Sequence, residues 1–138
     1  MKRFCLSGLV GLIVLLGALT IPAIASAHDC PDPPTWGYSV SQPQVNGLAM
    51  WGTGTMKCPG PGTGTLSVKL QWQAPNGSWP DVSGSLVSKT FTLDGTTKSL
   101  TSVHPDPGCT SGVVYRTAAR MTHHVTQPWA TAGNTVCP

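Results

Sequence analysis

From Thr65 to Gln73 the chain alternates strictly. Leu66, Val68, Leu70 and Trp72 are interleaved with Thr65, Ser67, Lys69, Gln71 and Gln73. Successive strand side chains point to opposite faces, so this period of two predicts one apolar wall and one wet wall. A second alternation sets Val113, Tyr115, Thr117, Ala119 and Met121 against Val114, Arg116, Ala118 and Arg120. A third sets Leu48, Met50 and Met56 against Ala49, Trp51, Thr53 and Thr55. Gly52 and Gly54 interrupt that third strand and predict a bulge or a close crossing of backbones.

Shorter strands are expected at 36–40, 86–93 and 98–103, with a return strand starting at 79–82 and a weak one at 125–136. Between them lie turn signals. Pro75-Asn76-Gly77-Ser78 and Asp94-Gly95 supply residues that tolerate positive φ. Residues 42–47 read as a connector, and 58–64 and 104–108 as loops by composition. About seven short strands separated by turns predict an all-β fold, a two-layer antiparallel immunoglobulin-like sandwich.

The first 27 residues have a different pattern. Lys2 and Arg3 precede an apolar run, and Ala25-Ser26-Ala27 places small residues where a signal peptidase cuts. Residues 1–27 are therefore read as a cleaved signal peptide and 28–138 as a single β-sandwich domain. Pro22 cuts the apolar run short of the roughly 20 residues a membrane span needs. No membrane span is expected after processing, and the expected location is secreted or cell-surface.

Removing that segment changes the charge. Six basic residues then face five aspartates, and there is no glutamate anywhere in the chain. So even a balance argues against a nucleic-acid surface, which requires clustered basic residues. Four cysteines remain, Cys30, Cys58, Cys109 and Cys137. An even count in a small exported domain reads as two disulfides. The equal spacing of 28 favours Cys30–Cys58 with Cys109–Cys137, each stapling the open end of its own hairpin; Cys30–Cys137 is the rival pairing. No Cys-x-x-Cys knuckle supports zinc.

The order of these features is an early cysteine, a Gly-rich strand ending in Cys58, the Val68-Lys69-Leu70-Gln71 strand and the turn Asn76-Gly77-Ser78-Trp79. A Thr-rich strand, Cys109 and Val114-Tyr115-Arg116 follow. In this the chain resembles the small secreted immunoglobulin-like proteins of actinobacteria. The resemblance implies the sandwich and no particular activity.

Candidate chemistry is sparse. Hydrolytic carboxylate pairs would have to come from the five aspartates, four of them in Pro- or Gly-rich turns. No Gly-x-Ser-x-Gly, His-Glu-x-x-His or phosphate-binding glycine loop occurs. The chain is therefore read as a non-enzyme, with no catalytic residues, that binds a protein or a cell-wall polysaccharide. The aromatics expected to face a ligand are Trp51, Trp79 and Trp129, because flat indoles suit sugar faces and protein grooves. Trp72, in phase with Leu70, is assigned to the core. Two alternatives are an inhibitor or effector of a secreted enzyme presenting loops 59–64 and 104–108, and a copper-binding module. The copper reading uses the α-amine and imidazole of a mature N-terminal His28 with His104, His123 or His124. His123 and His124 are otherwise expected as solvated loop residues.

Overall fold

The computed structural model describes residues 37–59 and 61–138. They form nine strand segments: β1 Gly37–Val40, β2 Gln44–Asn46, β3 Ala49–Lys57, β4 Thr63–Trp72, β5 Val87–Thr92, β6 Lys98–Val103, β7 Val114–His123, β8 Val125–Thr126 and β9 Ala130–Val136. All pairings between them are antiparallel. One sheet holds β1, β2, β3 and β6, the other β5, β4, β7, β8 and β9. β1 and β2 pair with successive stretches of the same edge of β3, and β8 and β9 with successive stretches of β7. The nine segments thus fill seven positions of a two-layer sandwich, as the strand spacing implied.

The long strands face as their patterns require. Leu66, Val68 and Leu70 of β4 are fully buried, as are Met50 and Met56 of β3, and Tyr115, Thr117, Ala119 and Met121 of β7 line the same interior. Leu48 departs from the pattern. It lies in the turn after β2, half exposed, because the chain reverses at Gly47 with φ of 59°. Residues 42–47 are more than a connector, since Gln44–Asn46 pairs with β3 once Pro43, which has no N–H to donate, has been passed.

The interior splits into two apolar clusters. One contains Met56, Cys58, Leu66, Val68, Leu93, Ala119 and Met121. The other contains Met50, Leu70, Val82, Cys109, Tyr115 and Cys137. Between them Gly52 and Gly54 bring β3 down onto Thr117, Val68 and Ala119. Of the two expectations for these glycines, close approach of the sheets is the correct one, and β3 pairs with β6 in unbroken register across both.

Cys109 and Cys137 are joined, closing the open end of the β7–β9 hairpin next to the Cys137 N–H to Val113 carbonyl bond. This removes the rival Cys30–Cys137 pairing. Cys58 is also disulfide-bonded; Cys30, with His28 and Trp36, lies outside the described residues.

Three further segments differ from the sequence expectation. Residues 79–82 are not a strand: one bridge, Gln71 to Asp81, forms before the chain leaves the sheet. Pro80 contributes only its carbonyl, to the Trp72 N–H. The ladder is completed by a side chain instead, as the buried Ser85 hydroxyl accepts the Leu70 N–H and bonds to the Val82 carbonyl. Asp94-Gly95 turns the chain as expected, but from β5 in one sheet to β6 in the other. The C-terminal strand is divided into β8 and β9 by Gln127-Pro128-Trp129.

One side of the sandwich is tied shut. Gln42 Nε2 donates to the Asn134 carbonyl at 2.9 Å, Thr135 Oγ1 to the Pro43 carbonyl at 2.7 Å, and the Tyr38 hydroxyl to the Pro128 carbonyl. The β1/β2 edge of one sheet is thereby bonded to the β8/β9 edge of the other.

Candidate binding surfaces

The outer face of the five-stranded sheet carries a connected polar row. Lys69 Nζ pairs with the Asp81 carboxylate at 2.8 Å, and Asp81 Oδ1 accepts from Gln71 Nε2 at 2.8 Å. Gln71 Oε1 accepts in turn from Arg116 Nε at 2.9 Å. Register explains the row: Gln71 is opposite Arg116, Lys69 opposite Ala118, and Ser67 opposite Arg120. Burial works against ionising Asp81, but the hydrogen bonds from Lys69 and Gln71 and the charge of Lys69 outweigh it. Together they hold the carboxyl below its ordinary value near 3.8.

Two indoles are laid over this row. The Arg116 guanidinium lies 4.3 Å from the Trp79 ring centroid. Lys69 Nζ lies 4.3 Å and the Arg120 guanidinium 4.6 Å from that of Trp129. These are cation–π distances. The nominally wet wall of β4 is not wet: Lys69, against Trp129, is 9% exposed and Ser67 7%, and Ala118 on β7 is fully buried. Both indoles are half-buried.

Trp51 lies elsewhere. It sits on the outer face of the other sheet, opposite Gln44 in register, and its Nε1 donates to Gln44 Oε1 at 3.1 Å. The three ligand-facing candidates therefore separate into a pair and a single residue. Alternation could place Trp51 away from Met50, but the pairing of Trp79 and Trp129 depends on segments that leave the ladder, which periodicity does not describe.

The histidines also separate. His104 stands at one end of the sandwich, its ring edge-on to Tyr115 with centroids 5.4 Å apart. His123 ends β7, roughly 26 Å further along that strand at about 3.3 Å per residue. His123 and His124 do meet, their ring centroids 4.2 Å apart, because His124 takes a φ of 51° at the β7–β8 turn. His123 Nδ1 contacts the Thr63 carbonyl at 2.8 Å, and His123 belongs to a strand, not a loop. Among the described residues no three His, Cys, Asp or Glu side chains gather. Of the two candidate loops, 59–64 is shorter than expected, since Thr63 and Gly64 pair in β4. Gly62 lies near His123, at the opposite end of the molecule from 104–108, which lies beside the Tyr115 cluster.

A pocket of about 500 Å³ opens at the His104 end, walled by Trp72, Val82, Val113 and Tyr115 and rimmed by Ser83, His104, Asp106 and Thr110. Trp72 is consequently a half-buried wall, packed on the Leu70–Tyr115 cluster, and not a sealed core residue.

No family model matches the chain, and no curated relative does. Among solved structures it is similar to part of a glycosyl hydrolase family 2 member from Bacteroides cellulosilyticus, at 15% identity and a TM-score of 0.50. That match covers 75% of this chain and 14% of the other. A β-glucuronidase from Bacteroides uniformis matches at 18% identity and a TM-score of 0.43, over 73% of this chain and 13% of that one. The likeness is one of fold: the chain is a β-sandwich domain that spans a small part of the length of those enzymes.

Proposed function

We propose that this protein is an exported, non-catalytic binding domain that holds a cell-wall or surface polysaccharide on the outer face of its five-stranded sheet. The observation that carries this reading is the pair Trp79 and Trp129, set on one face and each backed by a cation. An indole fixed in this way offers a flat apolar surface to sugar C–H groups at little cost in side-chain ordering. Gln71, Asp81 and the exposed Asn134, opposite Arg116 in register, supply hydroxyl partners between and beside the rings. Arg116 and Arg120 are four residues apart on β7, roughly 13 Å, a spacing suited to a polymer more than to a single ring. Export is supported by the apolar N-terminal segment and by the disulfide bonding of the buried Cys58, Cys109 and Cys137. The non-catalytic reading is supported by two of the three described aspartate carboxylates, since Asp81 and Asp94 are engaged by Lys69 and Lys98.

The test is retention of purified protein on insoluble peptidoglycan, chitin and cellulose. Binding to at least one is expected, with Trp79→Ala weakening it about tenfold, the usual scale for loss of one stacked ring. Trp129→Ala should do the same, with a thermal melt alongside because Trp129 also packs on the buried Lys69. Failure to bind any of the three, or binding indifferent to both tryptophans, would remove the polysaccharide reading.

A further inference from the structure

The pocket at the His104 end belongs to neither indole of the outer face. Trp72 and Tyr115, paired in register, point inward from β4 and β7, whereas their neighbours Gln71 and Arg116 point outward. We infer that this pocket is a separate site for a quaternary or fully methylated ammonium group.

The argument is one of complementary chemistry. Trp72, half-buried, provides the accessible aromatic wall, the nearly buried Tyr115 adds a second ring, and Val82 and Val113 provide the remaining apolar lining. Methyl groups on a cationic nitrogen satisfy both kinds of wall, since they bury apolar surface and carry positive charge to the ring faces. At the rim, Asp106 is exposed, and no Lys or Arg lines the pocket to neutralise it. The two ion pairs formed among the described residues use Asp81 and Asp94, so the Asp106 carboxylate has no cation of its own.

The other polar groups favour the same class of ligand. His104 Nδ1 lies 2.9 Å from the Pro105 carbonyl, which can only accept, so Nδ1 carries the proton and Nε2 of the neutral ring is an acceptor. The Tyr115 hydroxyl already accepts the Thr110 N–H at 3.0 Å. A carboxylate or phosphate in this space would meet the Asp106 carboxylate and apolar wall with no Lys or Arg to hold it. A primary ammonium would find acceptors only among the rim groups, Asp106, His104, Ser83 and Thr110, and any N–H turned toward the Trp72, Val82 and Val113 walls would go unsatisfied. A methylated ammonium has none to satisfy.

Rim and floor are held in place for the purpose. The segment is pinned by His104 N–H to the Met50 carbonyl and Cys109 N–H to the Leu48 carbonyl, and it runs directly into the buried Cys109–Cys137 bridge. The site is therefore preformed, which lowers the ordering cost of binding.

Isothermal titration of the purified protein with choline tests this, with the uncharged isostere 3,3-dimethyl-1-butanol as control. Choline is expected to bind with a Kd near ~1 mM, the affinity of about 4 kcal/mol open to so small a ligand. The neutral isostere should bind at least about tenfold more weakly, the scale of a cation–π plus carboxylate contribution. Asp106→Asn, an exposed and conservative change, should weaken choline by roughly five- to tenfold and leave the isostere unchanged. Nε-trimethyllysine run in parallel separates the two sources of this group, a choline head group or a methylated side chain, and the tighter binder identifies the source. Equal binding of choline and its isostere, no response to Asp106→Asn, or no heat from either ammonium ligand overturns the inference.

Discussion

A Cβ placed on Gly52 would lie 2.1 Å from Thr117 Oγ1 and 2.6 Å from its Cγ2. The two residues face each other across the sandwich, so the separation of the sheets at its middle is set by the absence of a side chain on β3. Gly52→Ala should therefore destabilise by at least the ~1–3 kcal/mol typical of overpacking. Thr117→Ala should restore part of that loss in the double variant, since only its Cβ, at 2.9 Å, remains in the way. Chemical denaturation of the four proteins of this cycle gives the coupling directly.

Thr117 is also a place where stability can be gained. Its hydroxyl is fully buried with no hydrogen-bond partner. Replacing an unsatisfied buried hydroxyl with a methyl of the same shape removes a desolvation cost, so Thr117→Val should raise stability by about 1 kcal/mol. A melting temperature unchanged or lowered in that variant would contradict the assignment.

The Cys109–Cys137 bridge closes a loop of 28 positions. On the chain-entropy account, replacing both cysteines with serine should cost roughly 3–4 kcal/mol. The loss should be seen in denaturant midpoint with the m-value raised, because the unfolded chain expands.

Ser85 substitutes for a strand that ends too early. Ser85→Ala leaves the Leu70 N–H without its acceptor in a buried place and should cost about 1–3 kcal/mol. Hydrogen exchange at the Leu70 amide should accelerate more than at Leu66 or Val68, whose ladders are intact.

Acid should weaken the outer face before the interior. Asp81 is held below its usual value by Lys69 and Gln71, and Asp94 by Lys98 and Thr96. A depressed carboxyl contributes stability above its unfolded value, and that contribution is lost as pH falls through the folded one. Stability should therefore hold above pH ~5 and decline below ~4. Asp81→Asn should flatten part of the decline, as followed by thermal melts from pH ~5 down to ~2.

The layer order was readable in the sequence because alternation is a local signal. Leu66 to Leu70 and Tyr115 to Met121 are buried as their phase dictates, and Lys98–Val103 has the bounds its composition implied. The Cys109–Cys137 staple followed from spacing for the same reason: hairpin arms that pair must end together. What the sequence did not disclose arises from segments off the ladder. Lys69 reads as a solvated position and is buried because Trp129, sixty residues away, folds over it. Trp72 reads as core and lines a pocket because the His104–Thr110 segment stands off from it. Residues 79–82 read as a strand and make a single bridge, since Pro80 has no N–H to continue the ladder.

The cover that Trp129 places over Lys69 gives part of this sandwich a third layer, one indole thick. Positions that face outward by their register are thereby subject to interior rules. Ala118, fully buried opposite Lys69, has no room for a bulky residue, and a short one at Lys69 leaves a gap beneath the indole together with an Asp81 that has lost its cation. Variation at these nominal surface sites should be tolerated no better than at Leu66 or Met121.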